Sequence, residues 1–584
     1  MKTQEDICSP PRPKLHRVDS PLETADDGPL FECSLAEAFT ATAEKFPNHT
    51  AIIDEECRRE STFREVDSFA KSIAAGLQAR GIRKGDRVAT SLGNTLEGCV
   101  SILACYKLGA IAVPLNPSYK PAQVIGALNH VTAACLIISA EANLPFRRPA
   151  STIPTLEAFV DDLYVEKISS RAVPSLEHVI IVDNSCGRID TTPFKSLICW
   201  NTLLTGQEEL SDNAVSKDDV ALIQFTSGTT SAPKGACLTN RNLVNIAINM
   251  GRRLNYTEQD TVCCPTPLFH VSGTTLGLAI SQCFGATLVF PSEAFNTAAT
   301  VEALRTQKCT AVYGVPTMYV AMLEYISQSH IRSEDFKQLR TGIISGAPVH
   351  ASLLRKVHDV LYLPELAVCW GMSETAGAAT MSHPYDPSVK RVTSVGRTLP
   401  HTQVRVVSRD DPLRVLPVGE RGELVVAGYL LMKGYWNDPA ATAAAQIYDP
   451  VSNEIWMRTG DEGVQDADGF FQVTGRIKDV IIRGGENIHP AEIESILVEH
   501  ARVMDASVVG IPDEKYGEIV GAFVVLNDAS GASTSMKQEL QEWVGGKLGK
   551  TWVPREVFVV EDLPKTASGK VQKFELREKA KGLL

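Results

Sequence analysis

The sequence lacks an uninterrupted apolar run long enough to span a membrane. The candidate stretch from Cys99 to Leu115 is broken by Lys107 and Gly109, which suits a buried α/β segment better. It also lacks any CxxC pair among its fourteen cysteines, none of which follows Cys369. A zinc module or a disulfide framework clusters its cysteines, so reduced, mostly buried thiols of an intracellular protein are expected instead. Basic residues are outnumbered, 57 against 69 acidic ones for a net charge of −12, which argues against broad binding to nucleic acid or an anionic membrane. No repeat of fixed period is visible. Residues 1–30 contain no apolar stretch of a secretory signal, and their proline, serine and charge predict a disordered lead-in. The terminal KGLL is no clear organelle address, so a cytoplasmic protein is expected, with organelle targeting left open.

What is present is a chain of 584 residues, 44% of them hydrophobic, enough for a sizeable core and for more than one domain. From Phe31 onward short apolar runs alternate with helical patterns: VIIVD at Val179, ALIQF at Ala221, ATLVF at Ala286, GELVVAG at Gly422. That alternation predicts α/β layers with much parallel sheet. The proline-bearing segment from Ala140 to Ala172 is expected to be a surface excursion between core elements. The texture changes near Gly475. A short strand (Val480 to Ile482), a Gly484–Gly485 turn and Pro490 at a helix start come first. Ile493, Ile496 and Leu497 then share one helical face. The strand patterns SVVGI and GAFVVL, a helix from about Met536 and a lysine-bearing tail complete a small α+β domain. The boundary is expected at GRIKD, Gly475 to Asp479.

One stretch carries chemistry by itself. FTSGTTSAPKG, Phe225 to Gly235, follows an apolar strand and precedes the helical pattern at Leu243, Val244 and Ala247. Strand, Gly/Ser/Thr loop and helix make a phosphate cradle in which N–H groups, hydroxyls and a lysine meet phosphate oxygens. The stretch does not fit the GxxxxGK[ST] loop of kinases and GTPases, because Lys234 is followed by Gly235. A polar turn without function is the alternative.

The order TSGTTSAPKG (226–235), YGVPT (313–317), WGMSET (370–375), RTGD (458–461), GRIKD (475–479) and PKTASGK (564–570) resembles the acyl-adenylate-forming superfamily. That family includes acyl-CoA synthetases, aryl-CoA ligases, luciferases and adenylation domains, and the resemblance runs from Phe31 to Leu584. It implies a large multi-layered α/β N-terminal domain (31–475), a hinge (476–479) and a small mobile α+β C-terminal domain (480–584). It also implies ATP, Mg²⁺ and CoA as cofactors and co-substrates. The loop Thr226, Ser227, Gly228, Thr229, Thr230 and Lys234 then corresponds to the family's loop for the β- and γ-phosphates. Glu374 corresponds to the Mg²⁺ ligand, with a helix-capping glutamate as the alternative. Ser373 stands where threonine is usual and keeps the hydroxyl for the α-phosphate. Trp370 stands where tyrosine is usual, suited to stacking on adenine or to plain core packing. Asp461 corresponds to the acceptor of both ribose hydroxyls. Arg476 corresponds to a ribose or phosphate ligand, or else to an interdomain salt bridge. Lys478 falls at the hinge position.

Lys570 matches the catalytic lysine that bridges the substrate carboxylate and the α-phosphate; without the resemblance it would read as a solvated surface charge. Lys573 stands where the family often has arginine. His270 resembles the residue that gates the acyl pocket, or else is a satisfied core histidine. Gly346, Ala347 and Gly371, taken with the nucleotide-binding set, are small, and Val271 beside His270 is apolar. Amino-acid-activating relatives commonly have an aspartate at the His270 position, so an acid without a free amino group fits better. RGGENIHP (483–490) resembles the segment that forms a pantetheine tunnel, with Gly485 giving backbone room. No carrier module follows Leu584, so CoA is the expected acceptor and a separate carrier protein the alternative. A luciferase-like oxidative enzyme and a non-catalytic binding relative are the remaining alternatives. The acid is expected to be medium-chain, fatty or aryl.

Overall fold

The computed structural model describes residues 28–145, 147–205, 210–211, 214–226, 234–527, 534–566 and 569–583. Two large sheets dominate the first two thirds. One runs in the order 397–398, 380–381, 365–370, 341–344, 311–314, 261–263, 287–290, 50–54, 59–62, and its central strands are parallel. The other runs 434–435, 234–239, 220–226, 111–114, 87–91, 135–139, 178–182, 197–199, parallel through its centre. Parallel strands covered on both faces read as continuous apolar runs rather than alternations. Cys135–Ser139 and Thr341–Ile344 are buried at every position.

Between the sheets lies the helix Leu96–Leu108, buried on nearly all sides. It occupies the apolar stretch that is too short and too interrupted for a membrane. Gly109 ends it in a left-handed turn (φ 75°), and the strand Ile111–Pro114 follows. Its one buried cation, Lys107, is paired with Asp67 at 2.7 Å, as burial of a charge demands. Among the described residues no helix is long and apolar enough to cross a membrane.

Two expectations need correction. The segment from Ala140 to Ala172 is more than a surface excursion: Ile153, Leu156, Phe159, Val160 and Leu163 are buried in the core on the outer side of the second sheet. Periodicity missed this because the buried residues sit in a five-residue helix, Ile153–Glu157, and the irregular chain after it. The phosphate loop is also not a strand–loop–helix unit. Strand Val220–Thr226 pairs antiparallel with a second strand, Lys234–Thr239, and the helix Asn240–Arg253 starts only after that. A strand therefore stands between the loop and the helix, so the helix N-terminus does not follow the loop directly. Thr239 caps the helix through Asn242 instead.

A third sheet carries strands 402–407, 422–428, 454–465 and 446–449, with Phe471–Arg476 added beside 454–465. After the short turn Ile477–Asp479 the chain enters a fourth sheet. There strands 486–488, 481–483, 517–526 and 503–513 are joined by 556–559. Helices Pro490–Val498 and Thr534–Leu548 cover it, burying Ile493, Leu497, Met536 and Leu540 in a core separate from those of the large lobe. Residues 28–30 run along the large lobe, where the Gly28 carbonyl meets His401 Nε2 at 2.8 Å; residues 1–27 lie outside the described residues.

Candidate active site

In open α/β sheets ligands gather beyond the carboxyl ends of the strands, and several of the expected residues stand there. Gly346 follows the strand Thr341–Ile344, with φ of 89°. Trp370 ends the strand Glu365–Trp370, and the turn Ser373–Thr375 is buried just beyond it. Gly371 is required by packing, because a Cβ there would lie 2.4 Å from the Ala378 Cα. Ala347 is half-buried beside Gly346.

Asp461 lies in the strand Glu454–Gln465 and is buried. Its two oxygens have different partners. The Trp370 indole N–H donates to Oδ2 at 2.8 Å, and Arg476 Nε sits 2.6 Å from Oδ1. Arg476 is the cross-strand neighbour of Asp461 in one sheet, so this ion pair lies within the large lobe and does not join two domains. The Trp370 ring packs with Val404, Leu424 and Phe471. Its N–H orients the carboxylate, a role that stacking or core packing alone does not describe. Burial pushes the Asp461 carboxyl up; Arg476, Trp370, Lys570 and Lys478 oppose it.

Lys570 belongs to the small lobe, in a tight hairpin where the Thr566 N–H donates to the Lys570 carbonyl at 2.8 Å. Gly569 takes φ of 83° there, and its carbonyl accepts from Thr317 Oγ1 of the large lobe at 3.4 Å. The lysine Cε lies 3.7 Å from where a Gly346 Cβ would stand. Burial and Arg476 push the Lys570 ammonium down, while Asp461 and Glu374 hold it up. His270 faces the same lysine: burial and then Lys570 push its imidazole down to about 3, so it is neutral at physiological pH. Its Nδ1 accepts from the Ser272 N–H at 3.2 Å, which leaves Nε2 to carry the proton.

Glu374 is buried, and Oε1 accepts the Tyr435 hydroxyl at 2.8 Å. The Lys234 ammonium lies 4.9 Å from the centre of the Tyr435 ring, a cation–π contact. Thr226 and Lys234 face each other as the last pair of the two strands before the connecting loop; Ser227, Gly228, Thr229 and Thr230 lie outside the described residues. A surface groove of about 440 Å³ beyond Tyr435 is lined by Lys433, Asn437, Asp438, Thr442 and Gln446 and includes none of Lys570, Asp461 or His270.

Lys570, Asp461, Arg476, Glu374 and His270 are thus brought together. Lys478 is exposed in the turn after Arg476, with its charge felt at Asp461. Gly485 stays apart: it is exposed in a hairpin turn of the small lobe at φ of 88°, with no atom within 4 Å of where a Cβ would stand. Lys573 is committed inside its own lobe, to Glu494 at 2.8 Å and the Val508 carbonyl at 3.2 Å. Sequence reasoning missed Tyr435, whose only signal was a Gly-Tyr pair far along the chain from Glu374. It also missed the buried contact of His489 with Glu462, which no local motif announces.

The family profile described as "AMP-binding enzyme" matches residues 39–436, and the "AMP-binding enzyme C-terminal domain" matches residues 492–570. The acyl-CoA ligase SID4 of Ajellomyces capsulatus is 36% identical, over 95% of this chain and 92% of its own. The mitochondrial medium-chain acyl-CoA ligase ACSF2 of Danio rerio is 33% identical, over 94% and 89%. Among solved structures, the anthranilate CoA ligase AuaEII in complex with anthranoyl-AMP superposes with a TM-score of 0.81 at 25% identity, covering 96% of this chain and all of that one.

Proposed function

The chain belongs to the AMP-binding enzyme family, and from that membership we propose that its acid is a medium-chain fatty or aryl carboxylic acid. The reaction is that of an acid–thiol ligase. A substrate carboxylate oxygen attacks the α-phosphorus of ATP, pyrophosphate leaves, and an acyl-AMP forms. The thiol of CoA then attacks the acyl carbon, and AMP leaves as the thioester forms. A free carboxylate resists nucleophiles, and the mixed anhydride removes that resistance; the site must neutralise charge and exclude water while it exists.

The observation that carries the assignment is the convergence of Lys570 with Asp461, Arg476 and Glu374, two cations and two carboxylates from both lobes. Lys570 bridges the substrate carboxylate and the α-phosphate as charge shifts between them. Asp461, steadied by Trp370 and Arg476, accepts the ribose hydroxyls. His270, neutral, borders the acyl group without adding charge, and Val271, buried at 3% exposure, gives it an apolar wall. Thr226 to Thr230 with Lys234 hold the outer phosphates. Ser373 donates to the α-phosphate, with Gly346, Ala347 and Gly371 leaving room for the nucleotide. Residues 476–479 serve as the hinge, Lys478 among them, and Gly485 lines the pantetheine path.

Glu374 fits a Mg²⁺ ligand. One oxygen is committed to a neutral hydroxyl, and among the described residues no group of three acidic, histidine or cysteine side chains forms a cage of its own. Magnesium characteristically takes one or two carboxylates and completes its shell with phosphates and water. When bound there it supplies charge neutralisation on the phosphates.

Two groups of relatives bear on the acid and the compartment: proteins named medium-chain acyl-CoA ligases, mitochondrial, and a structure named for anthranilate. We place the protein in the cytoplasm or an organelle lumen. The test is pyrophosphate release from ATP across fatty, aryl and amino acids, each with and without CoA. Release that rises with CoA for fatty or aryl acids, yielding AMP and acyl-CoA, is expected. Acid-dependent release indifferent to CoA would replace CoA with a carrier protein, and release only with amino acids would overturn the acid class.

A further inference from the structure

Lys570 reaches the site only because the small lobe is docked, and the single chain connection through Ile477–Asp479 cannot fix that orientation by itself. Among the described residues two close contacts between a basic and an acidic side chain cross between the lobes, and both end at the start of one helix, Pro490–Val498. His489, its N-terminal cap, places Nδ1 3.0 Å from Glu462 Oε2, with both side chains buried. Glu492, in the first turn, places Oε1 2.8 Å from Arg421 Nη2 at the rim. The helix is therefore pinned twice within one turn.

The large-lobe end of the buried pair is telling. Glu462 follows Asp461 in the same strand, and successive strand residues project to opposite faces. Asp461 turns to Trp370 and Arg476, while Glu462 turns to Arg409, Thr474 and His489. Burial pushes the Glu462 carboxyl up, but His489, Thr474 and Arg409 outweigh it and hold it at about 2. One strand thus carries a carboxylate of the site and, one residue later, an ionised carboxylate that grips the lobe delivering the lysine.

We propose that Glu462 with His489, and Arg421 with Glu492, are positioning residues for Lys570: they hold the small lobe in the orientation that seats its ammonium between Asp461 and Glu374. The consequence for rate rests on the function proposed above, in which adenylation needs Lys570 and thiol transfer does not. The grip is cut from the large lobe, by Glu462→Gln and Arg421→Ala in the full chain, so that the loop bearing Gly485 is untouched.

Glu462→Gln should slow acyl-AMP formation roughly tenfold, as expected for a lost buried charge contact. Thioester formation from supplied acyl-AMP should hold. Hydrogen exchange at the Lys570 hairpin, and at residues 315–318 against which it packs, should quicken while the small-lobe core around Ile493 and Leu497 stays protected. The exposed pair is weaker, so Arg421→Ala should show the same pattern with a smaller change. Arg421→Glu should worsen it, and Arg421→Glu combined with Glu492→Arg should restore exchange and rate together. Unchanged exchange in Glu462→Gln, equal losses in both half-reactions, or no rescue by the reversed pair would each overturn the proposal. A protein inactive on every acid would count against the proposed function alone, since the exchange measurement still decides the grip.

Discussion

Replacing Trp370 by phenylalanine isolates one hydrogen bond, because most of the ring's packing on Val404 and Leu424 survives. What disappears is the N–H donated to Asp461 Oδ2 at 2.8 Å. A hydrogen bond to a charged group is worth about 1.5–3 kcal/mol. Asp461 is buried and its carboxyl is already pushed up, opposed by Arg476, Trp370, Lys570 and Lys478; without the indole one opposing influence is gone and it titrates higher still. In the ribose role proposed for Asp461, ATP needs the ionised form, since only that offers acceptors on both oxygens. Where free Asp461 has become protonated, binding must drive the proton off, and the hydrogen-bond energy sets the ceiling on that cost. ATP affinity should therefore fall by up to roughly ten- to a hundredfold at the acid end. The loss should shrink as pH rises and the carboxylate is ionised in both free and bound protein. Calorimetric titration of ATP from about pH 5.5 to about pH 8.5 reads this directly. A loss of the same size at every pH would show that the ring's shape matters and the hydrogen bond to Asp461 does not, and an unchanged affinity would remove Asp461 from the ribose site.

Lys570→Ala should cut acyl-AMP formation by roughly a hundred- to a thousandfold, with a smaller effect on thiol transfer from supplied acyl-AMP; equal losses would refute the bridging role. Because burial and Arg476 push the Lys570 ammonium down, adenylation should decline with rising pH before the ordinary lysine range. Lys570→Arg should lose that alkaline decline, since a guanidinium stays charged. Tyr435→Phe removes the hydroxyl from Glu374 Oε1. The Mg²⁺ concentration for half-maximal ATP binding should then rise roughly tenfold, and an unaltered magnesium dependence in a binding titration would separate Tyr435 from the metal site. Gly346→Ala places a Cβ on a backbone with φ of 89°, 3.3 Å from Val315 Cγ1 and 3.7 Å from Lys570 Cε. About 1–2 kcal/mol of strain is expected, and adenylation should suffer more than ATP binding if that space serves the lysine.

The layered α/β architecture was legible because buried parallel strands leave continuous apolar runs, and the small lobe was legible from Pro490 at a helix start and the Ile493–Leu497 face. The antiparallel strand after the phosphate loop was not. Lys234–Thr239 reads KGACLT, too short and too mixed to announce a strand, and only its pairing with Val220–Thr226 makes it one. The packed segment after Ala140 was hidden for a related reason: its buried residues follow no single period. In the site, residues that carry their chemistry in a local motif could be named in advance. Tyr435 and Glu462 could not, since each matters through a partner brought near by tertiary folding, Glu374 in one case and His489 in the other. The role of Trp370 was half visible, as an aromatic at the right place, while its N–H had no partner until Asp461 was seen beside it.

The site's charges explain why His270 must be neutral. Lys570 and Arg476 are positive and Asp461 and Glu374 negative, so the two buried carboxylates are balanced before any substrate arrives by a half-buried lysine and a more exposed arginine. A protonated His270 would add a third cation next to Lys570 in low dielectric, and the structure shows the outcome: burial and the lysine push the imidazole down to about 3. With His270 silent, Asp461 is matched by Arg476 at 2.6 Å, and Glu374 Oε1 accepts the neutral Tyr435 hydroxyl. Lys570 is then the positive charge least tied to a protein partner and the one whose proton is least secure. An incoming carboxylate both satisfies that ammonium and secures its proton. In the proposed mechanism, substrate binding and the charging of Lys570 therefore reinforce each other, which an aspartate at position 270 would defeat by supplying the negative charge in the substrate's place. His270→Asp should accordingly weaken the binding of simple acids, read as a raised KM for the acid, and the effect should be smaller for an acid bearing an α-ammonium group; equal weakening of both would refute this account of the pocket.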